Sequence, residues 1–113
     1  EIPVLLIVCN NHSFFNDELH QERVAKERNR PVENKWIGQR MSDPEIDIAK
    51  MASAMGATAI GPVRSLKELD RALDQGMEAV RQGQTCIIDV NVAPGYDTNM
   101  SGQNSTQSSV HKR

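Results

Sequence analysis

Aromatic side chains are scarce in this sequence: two Phe, one Tyr and one Trp stand among 113 residues. Cysteine is as rare, with only Cys9 and Cys86, each inside an apolar run. A free thiol so placed behaves as a small hydrophobe rather than as a ligand or nucleophile, and a cytoplasmic setting is the expectation. No apolar stretch approaches the roughly 20 residues that cross a bilayer, and no charged start followed by an apolar segment marks a secretory signal. Membrane and export readings fall away. Neither sign of charge dominates, since 13 Lys and Arg stand against 15 Asp and Glu for a formal net charge of -2. Without a basic block carrying interleaved aromatics, the chain offers no nucleic-acid footprint.

What is present has the profile of one globular domain with a single core: 38% hydrophobic and 25% charged residues. A chain this short buries a modest share of its surface, so an unpaired edge or a missing neighbour weighs heavily on it. The first residue is Glu1 rather than Met, and the apolar pattern begins within one residue of it, so sequence upstream is expected.

Ile2 to Cys9 form an almost unbroken aliphatic run, as in a strand buried on both faces of a parallel sheet. Asn10, Asn11, His12 and Ser13 break it with short polar side chains that favour turns. They do so at the carboxyl end of the strand, where open α/β sheets place their ligands. Phe14 to Arg40 is highly charged, with a helix expected over Asp17 to Arg28 that Arg30-Pro31 ends, and it reads as a mobile or partner-facing excursion. Charges alternate in sign from Glu18 to Lys35, as on a solvated helix face.

Ser42-Asp43-Pro44 then predicts a capped helix start, and Ile46, Ala49, Met51, Ala52 and Met55 predict its apolar face, with Gly56 as the stop. Ala57 to Val63 predicts a second strand that runs into a turn at Gly61-Pro62. Ser65 with Glu68 makes a capping box for a helix to Gly83 whose stripe is Leu66, Leu69, Leu73, Met77 and Val80. Thr85 to Val92 predicts a third strand, and the alternation of its later half predicts half-exposure or a place near an edge. Strands alternating with helices give an α/β fold, a parallel sheet with helices on both faces. Residues 94–113 turn to Gly, Ser, Asn, Gln and Thr, a tail expected to be disordered or pinned by a neighbour, which sets residues 1–93 apart as the folded domain.

The stretch V-L-L-I-V-C-N-N-H-S resembles the second half of the thiamine-diphosphate motif, which closes on Asn-Asn after an apolar strand. The Gly-Asp-Gly that opens that motif upstream is not in this chain. The likeness continues through R-P-V-E-N-K-W-I-G, D-P-E-I-D-I-A-K-M-A-S-A-M-G and T-C-I-I-D-V-N-V. Over residues 2–92 it is similar to the group of acetolactate synthase, benzoylformate decarboxylase and sulfoacetaldehyde acetyltransferase.

The resemblance implies the carboxyl-terminal part of a diphosphate-binding domain, with thiamine diphosphate and Mg²⁺ as cofactors. By it, Asn11 gives a side-chain oxygen and Ser13 a backbone carbonyl to Mg²⁺, in keeping with the oxygen ligands that a hard divalent cation takes. Asn16, Asp17 and His20 would look into the cofactor and substrate pocket, Asp17 and His20 as candidate catalytic groups, and Phe14 and Phe15 after the metal turn would wall it. His12, beside them, stays outside the metal shell because Mg²⁺ prefers oxygen. Each residue also has a plainer reading. Asn10-Asn11 makes an Asx turn, Asp17-Glu18 suits the first turn of an exposed helix, Phe14 packs in a core, and a lone His20 in a charged stretch is solvated. Trp36 and Ile37 suit either docking onto another domain or subunit, or the domain's own core.

The implied enzyme is a decarboxylase or carboligase acting on 2-oxo acids, active as a homodimer or homotetramer whose upstream domains and second subunit complete each site. This chain alone is then inactive. The alternative is a non-catalytic binding or regulatory module that keeps the fold only, with the asparagine turn purely structural. A receiver-like or flavodoxin-like domain would need acidic residues or phosphate-binding glycines at its strand ends, and neither is present.

Overall fold

The computed structural model describes residues 2–93. The expected polar tail, 94–113, lies outside the described residues. Three strands, β1 (Leu5–Asn10), β2 (Thr58–Val63) and β3 (Cys86–Asn91), form one parallel sheet in the order β1-β3-β2. The helices are α1 (Phe15–Glu27), α2 (Ile48–Ala54) and α3 (Leu66–Arg81).

The strand order dictates where the helices go. The connection from β1 to β2 passes over β3, and the connection from β2 returns to β3 in the opposite sense. Right-handed crossovers running in opposite senses lie on opposite faces. Accordingly α3 packs on the face of Leu5, Cys86 and Ile88, where a Cβ on Gly76 would stand 2.8 Å from Leu5 Cδ1. That face holds the core cluster of Val63, Ala72, Ala79, Cys86 and Ile88, with Leu69 and Leu73 packed against it. Its apolar surroundings push the Cys86 thiol above its ordinary pKa. On the other face, Ala49 and Ala52 of α2 are buried against β2 and β3.

β3 is therefore the central strand, with Cys86 and Ile88 fully buried, and not the half-exposed or edge-near strand that alternation predicts. Its polar alternates, Asp89 and Asn91, turn into a pocket at the carboxyl end of the sheet rather than to solvent. Conversely β1, expected to be buried on both faces, is an edge strand. Leu6 and Ile7, on opposite faces, are 50% and 48% exposed. A parallel strand is buried on both faces only with a helix over each of them, and α2 makes no contact with β1. β2 is the other edge, where Pro62 is tolerated because the outward side needs no ladder donor. Gly61 and Pro62 lie within β2 as a break in register between Ile60 and Val63, not in a turn behind it.

The helix limits follow local chemistry. Ser65 accepts from the Glu68 N–H and caps α3, while the Glu68 carboxylate accepts from the Arg64 N–H and is held below its usual pKa by it. α2 begins later than Ser42-Asp43-Pro44 predicts: Asp47 is its cap, accepting from the Lys50 N–H at 2.8 Å, and that bond lowers the Asp47 pKa. The helix is short, so only its alanines reach the sheet, and Ile46, Met51 and Met55 of the expected apolar face are exposed. On α3 the buried line is Ala72, Gly76 and Ala79, while Leu66 and Met77 at the margins of the expected stripe are exposed. Small residues there let helix and sheet approach closely.

Candidate functional site

The site begins where β1 ends. Asn10 is buried and its side-chain oxygen accepts from the His12 N–H at 3.0 Å; Asn11 Oδ1 accepts from the Ser13 N–H at 3.1 Å. These two successive Asx turns swing the chain out of the sheet plane, with His12 in the left-handed region at φ 56. The turn leads straight into α1, whose Phe14 N-cap makes no side-chain cap hydrogen bond.

A second segment locks the turn. Ser13 and Arg40 form an antiparallel bridge, closed by the Phe14 N–H to Gln39 O at 2.9 Å and the Met41 N–H to His12 O at 2.8 Å. The Ser13 carbonyl takes no part in those two bonds. The Ser13 hydroxyl donates to Glu18 Oε1, and Arg40 Nε lies 3.7 Å from the same oxygen. Arg40 also sits over the Trp36 ring, 5.4 Å from its centroid.

Between these segments opens a cavity of about 520 Å³, lined by Asn11, His12, Ser13, Phe15, Glu18 and Arg40, with Ser42 and Glu45 opposite. Its polar groups are rich in oxygen: a side-chain amide, hydroxyls and two carboxylates, beside the His12 imidazole and one guanidinium. Such a set suits a hard cation and its anionic partner rather than a soft metal. Among the described residues no group of three or more His, Cys, Asp or Glu side chains is arranged to hold a metal ion. Asn11 Oδ1 and the Ser13 carbonyl are oxygens of the kind that would hold such a cation. An amide oxygen has two lone pairs, so the Ser13 N–H and a cation can share Asn11.

A family profile described as thiamine pyrophosphate enzyme, C-terminal TPP binding domain, matches residues 1–90. The chain belongs to that family. No curated protein and no solved structure matches it. Among the described residues, no helix of this thiamine pyrophosphate enzyme domain is long and apolar enough to cross a membrane.

Of the residues singled out from the sequence, the structure brings Asn11 and Ser13 together on the cavity wall. Phe14, Asn16 and Asp17 are exposed and outside its lining; of the two expected aromatic walls, Phe15 lines the cavity and Phe14 does not. His20 is exposed along α1 and borders a separate groove with Val24 and Arg28. Sequence reasoning missed Glu18, which is buried and lies in the first turn of α1. The acidic pair Asp17-Glu18 reads as exposed as a unit, but helical geometry turns adjacent residues about 100° apart, so one faces out while the other meets Ser13. Arg40 and Glu45 were missed too, because only the folded return of the chain brings them opposite Asn11.

Proposed function

We propose that this domain is the carboxyl-terminal part of a thiamine-diphosphate- and Mg²⁺-dependent enzyme that acts on 2-oxo acids, as a decarboxylase or carboligase of the acetolactate synthase-like group. The observation that carries it is the doubled asparagine turn at the carboxyl end of β1, opening on a cavity lined with oxygen donors, within a chain that belongs to the family. Asn11 and the Ser13 carbonyl hold Mg²⁺, and through it the diphosphate. Glu18 fixes the Ser13 side chain and thereby the turn, while Arg40 offsets the charge of Glu18. Phe15 supplies an apolar wall, and Phe14 and Asn16 complete the cofactor's surroundings in the assembled enzyme. When bound, thiamine diphosphate supplies the electron sink for loss of carbon dioxide from the 2-oxo acid.

Asp17 and His20 are exposed and outside this cavity's lining, and we assign them acid-base work at a pocket completed by the upstream domains and a second subunit of a homodimer or homotetramer. The half-exposed β1 supports that assembly, since a strand with apolar side chains on both faces needs covering. Free thiols at Cys9 and Cys86 fit a cytoplasmic enzyme.

The test is Asn11→Ala in the complete polypeptide, titrated calorimetrically with thiamine diphosphate at several Mg²⁺ concentrations. Cofactor affinity should fall about tenfold or more, with circular dichroism unchanged. Unaltered affinity would remove Asn11 from the metal site.

A further inference from the structure

A second pocket of about 240 Å³ opens at the carboxyl ends of β2 and β3, meeting the first at His12 and Glu45. At its floor is Asp89, 1% exposed, on the central strand. Asp89 Oδ1 and Asn91 Oδ1 are both buried and find no hydrogen-bond partner among the described residues. They stand two residues apart on one strand and so face the same side of the sheet. Buried polar atoms in native proteins are almost always satisfied, and an unpaired carboxylate oxygen in a low-dielectric site is among the most costly exceptions. Two acceptors side by side call for a donor that carries positive charge.

The rest of the lining carries both signs of charge. Lys50 and Arg64 belong to it, both exposed residues. Lys50 Nζ is 3.2 Å from Asp47 Oδ2 in an exposed pair, and such pairs hold their partners weakly. Ile46 and Pro62 supply apolar wall. Donor-seeking oxygens of Asp89 and Asn91 lie together, and the rest of the lining sets Lys50 and Arg64 beside the carboxylates of Glu45 and Asp47, with aliphatic surface between. A divalent metal fits less well, because cationic side chains share the lining.

We propose that this pocket binds a small zwitterion bearing an ammonium and a carboxylate, such as a compact α-amino acid. Its ammonium donates to Asp89 and Asn91, and its carboxylate meets Lys50 and Arg64. The site is separate from the cofactor cavity but shares His12 and Glu45 with it, so occupancy of one bears on the shape of the other.

The test is calorimetric titration of the complete polypeptide with L-alanine, with ethylamine and propanoate as its two halves. L-alanine should bind at least about tenfold more tightly than either half. Asp89→Asn should weaken L-alanine by about tenfold or more. Because that change lies in the core, the double variant Lys50→Gln/Arg64→Gln serves as a second arm, and it should bring L-alanine down to the affinity of ethylamine. Ethylamine binding as tightly as L-alanine would reduce the site to a plain ammonium pocket and overturn the proposal. No binding of L-alanine, or binding unchanged in both variants, would overturn it as well, leaving water or an inward turn of Lys50 or Arg64 to satisfy Asp89.

Discussion

The Ser13 hydroxyl donates to the Glu18 carboxylate, five residues on, and so joins the turn after β1 to the first turn of α1. Glu18 is buried, and Arg40 Nε lies 3.7 Å from the same oxygen. Removing the carboxylate leaves the part-buried Ser13 hydroxyl without its acceptor and frees the more exposed Arg40. Glu18→Ala should destabilise the complete polypeptide by about 2 kcal/mol in urea unfolding and weaken its cofactor affinity, because the cavity loses its brace. Glu18→Gln, which still accepts from Ser13, should recover most of the stability. Equal losses in the two variants would show that the charge, not the hydrogen bond, matters.

Glu22 offers a pH handle on α1. It pairs with Lys26 at 2.5 Å and with Lys35, and these bonds hold its carboxyl at a pKa of about 2 instead of the ordinary 4.5. A depressed carboxylate contributes stability that is complete above about pH 4.5 and lost as pH falls through about 2. Glu22→Gln should therefore be less helical than the parent in α1 at pH 7, and the gap should close on acidification across that window. Helix-resolved amide exchange at several pH values measures it, and a gap independent of pH would sever the two lysines from the effect.

Two glycines should respond unequally to alanine. At Gly61, φ is 148 and a Cβ would meet the Asp89 carbonyl oxygen at 2.8 Å and its Cβ at 2.9 Å, with backbone unable to yield. Gly61→Ala should cost about 3 kcal/mol. At Gly76 the nearest atoms are the methyl ends of Leu5 and Ile88, at 2.8 and 3.1 Å, which turn aside more easily. The gain in helix propensity, up to about 1 kcal/mol, offsets part of that crowding. Gly76→Ala should therefore lower the melting temperature less than Gly61→Ala, and the reverse order would refute the assigned packing.

For Asp17 and His20, an acid-base part predicts that Asp17→Asn and His20→Gln lower kcat about 100-fold or more in the complete enzyme, with a displaced pH-rate limb and unchanged cofactor affinity. Unchanged kcat in both would make them the solvated face of α1.

Much of this was legible in the residues. The first strand, expected over Ile2 to Cys9, and the capping box of Ser65 and Glu68 are local signals, and local chemistry decides them. Asn11 and Ser13 were singled out by the resemblance, and the turn that carries them lies on the cavity wall. What escaped depends on long-range order. Whether β1 or β3 is central is set by crossover direction, and alternation in β3 reported a polar pocket rather than solvent. Glu18, Arg40 and Glu45 converge only after the chain has returned from its excursion, and no spacing in the sequence encodes that return.

Among the described elements, α1 touches neither the sheet nor the other two helices. It is an arm hung from the turn at His12 and the strand-like contact at Arg40. Asn11 lies in the turn just past β1 and Glu18 at the root of the arm, and the Ser13–Glu18 hydrogen bond spans the join between them. A ligand gripping both sides acts as a strut. Its measured affinity then records the stiffening of the arm as well as the contacts it makes, and a substitution far out on α1 can alter binding without ever meeting the ligand.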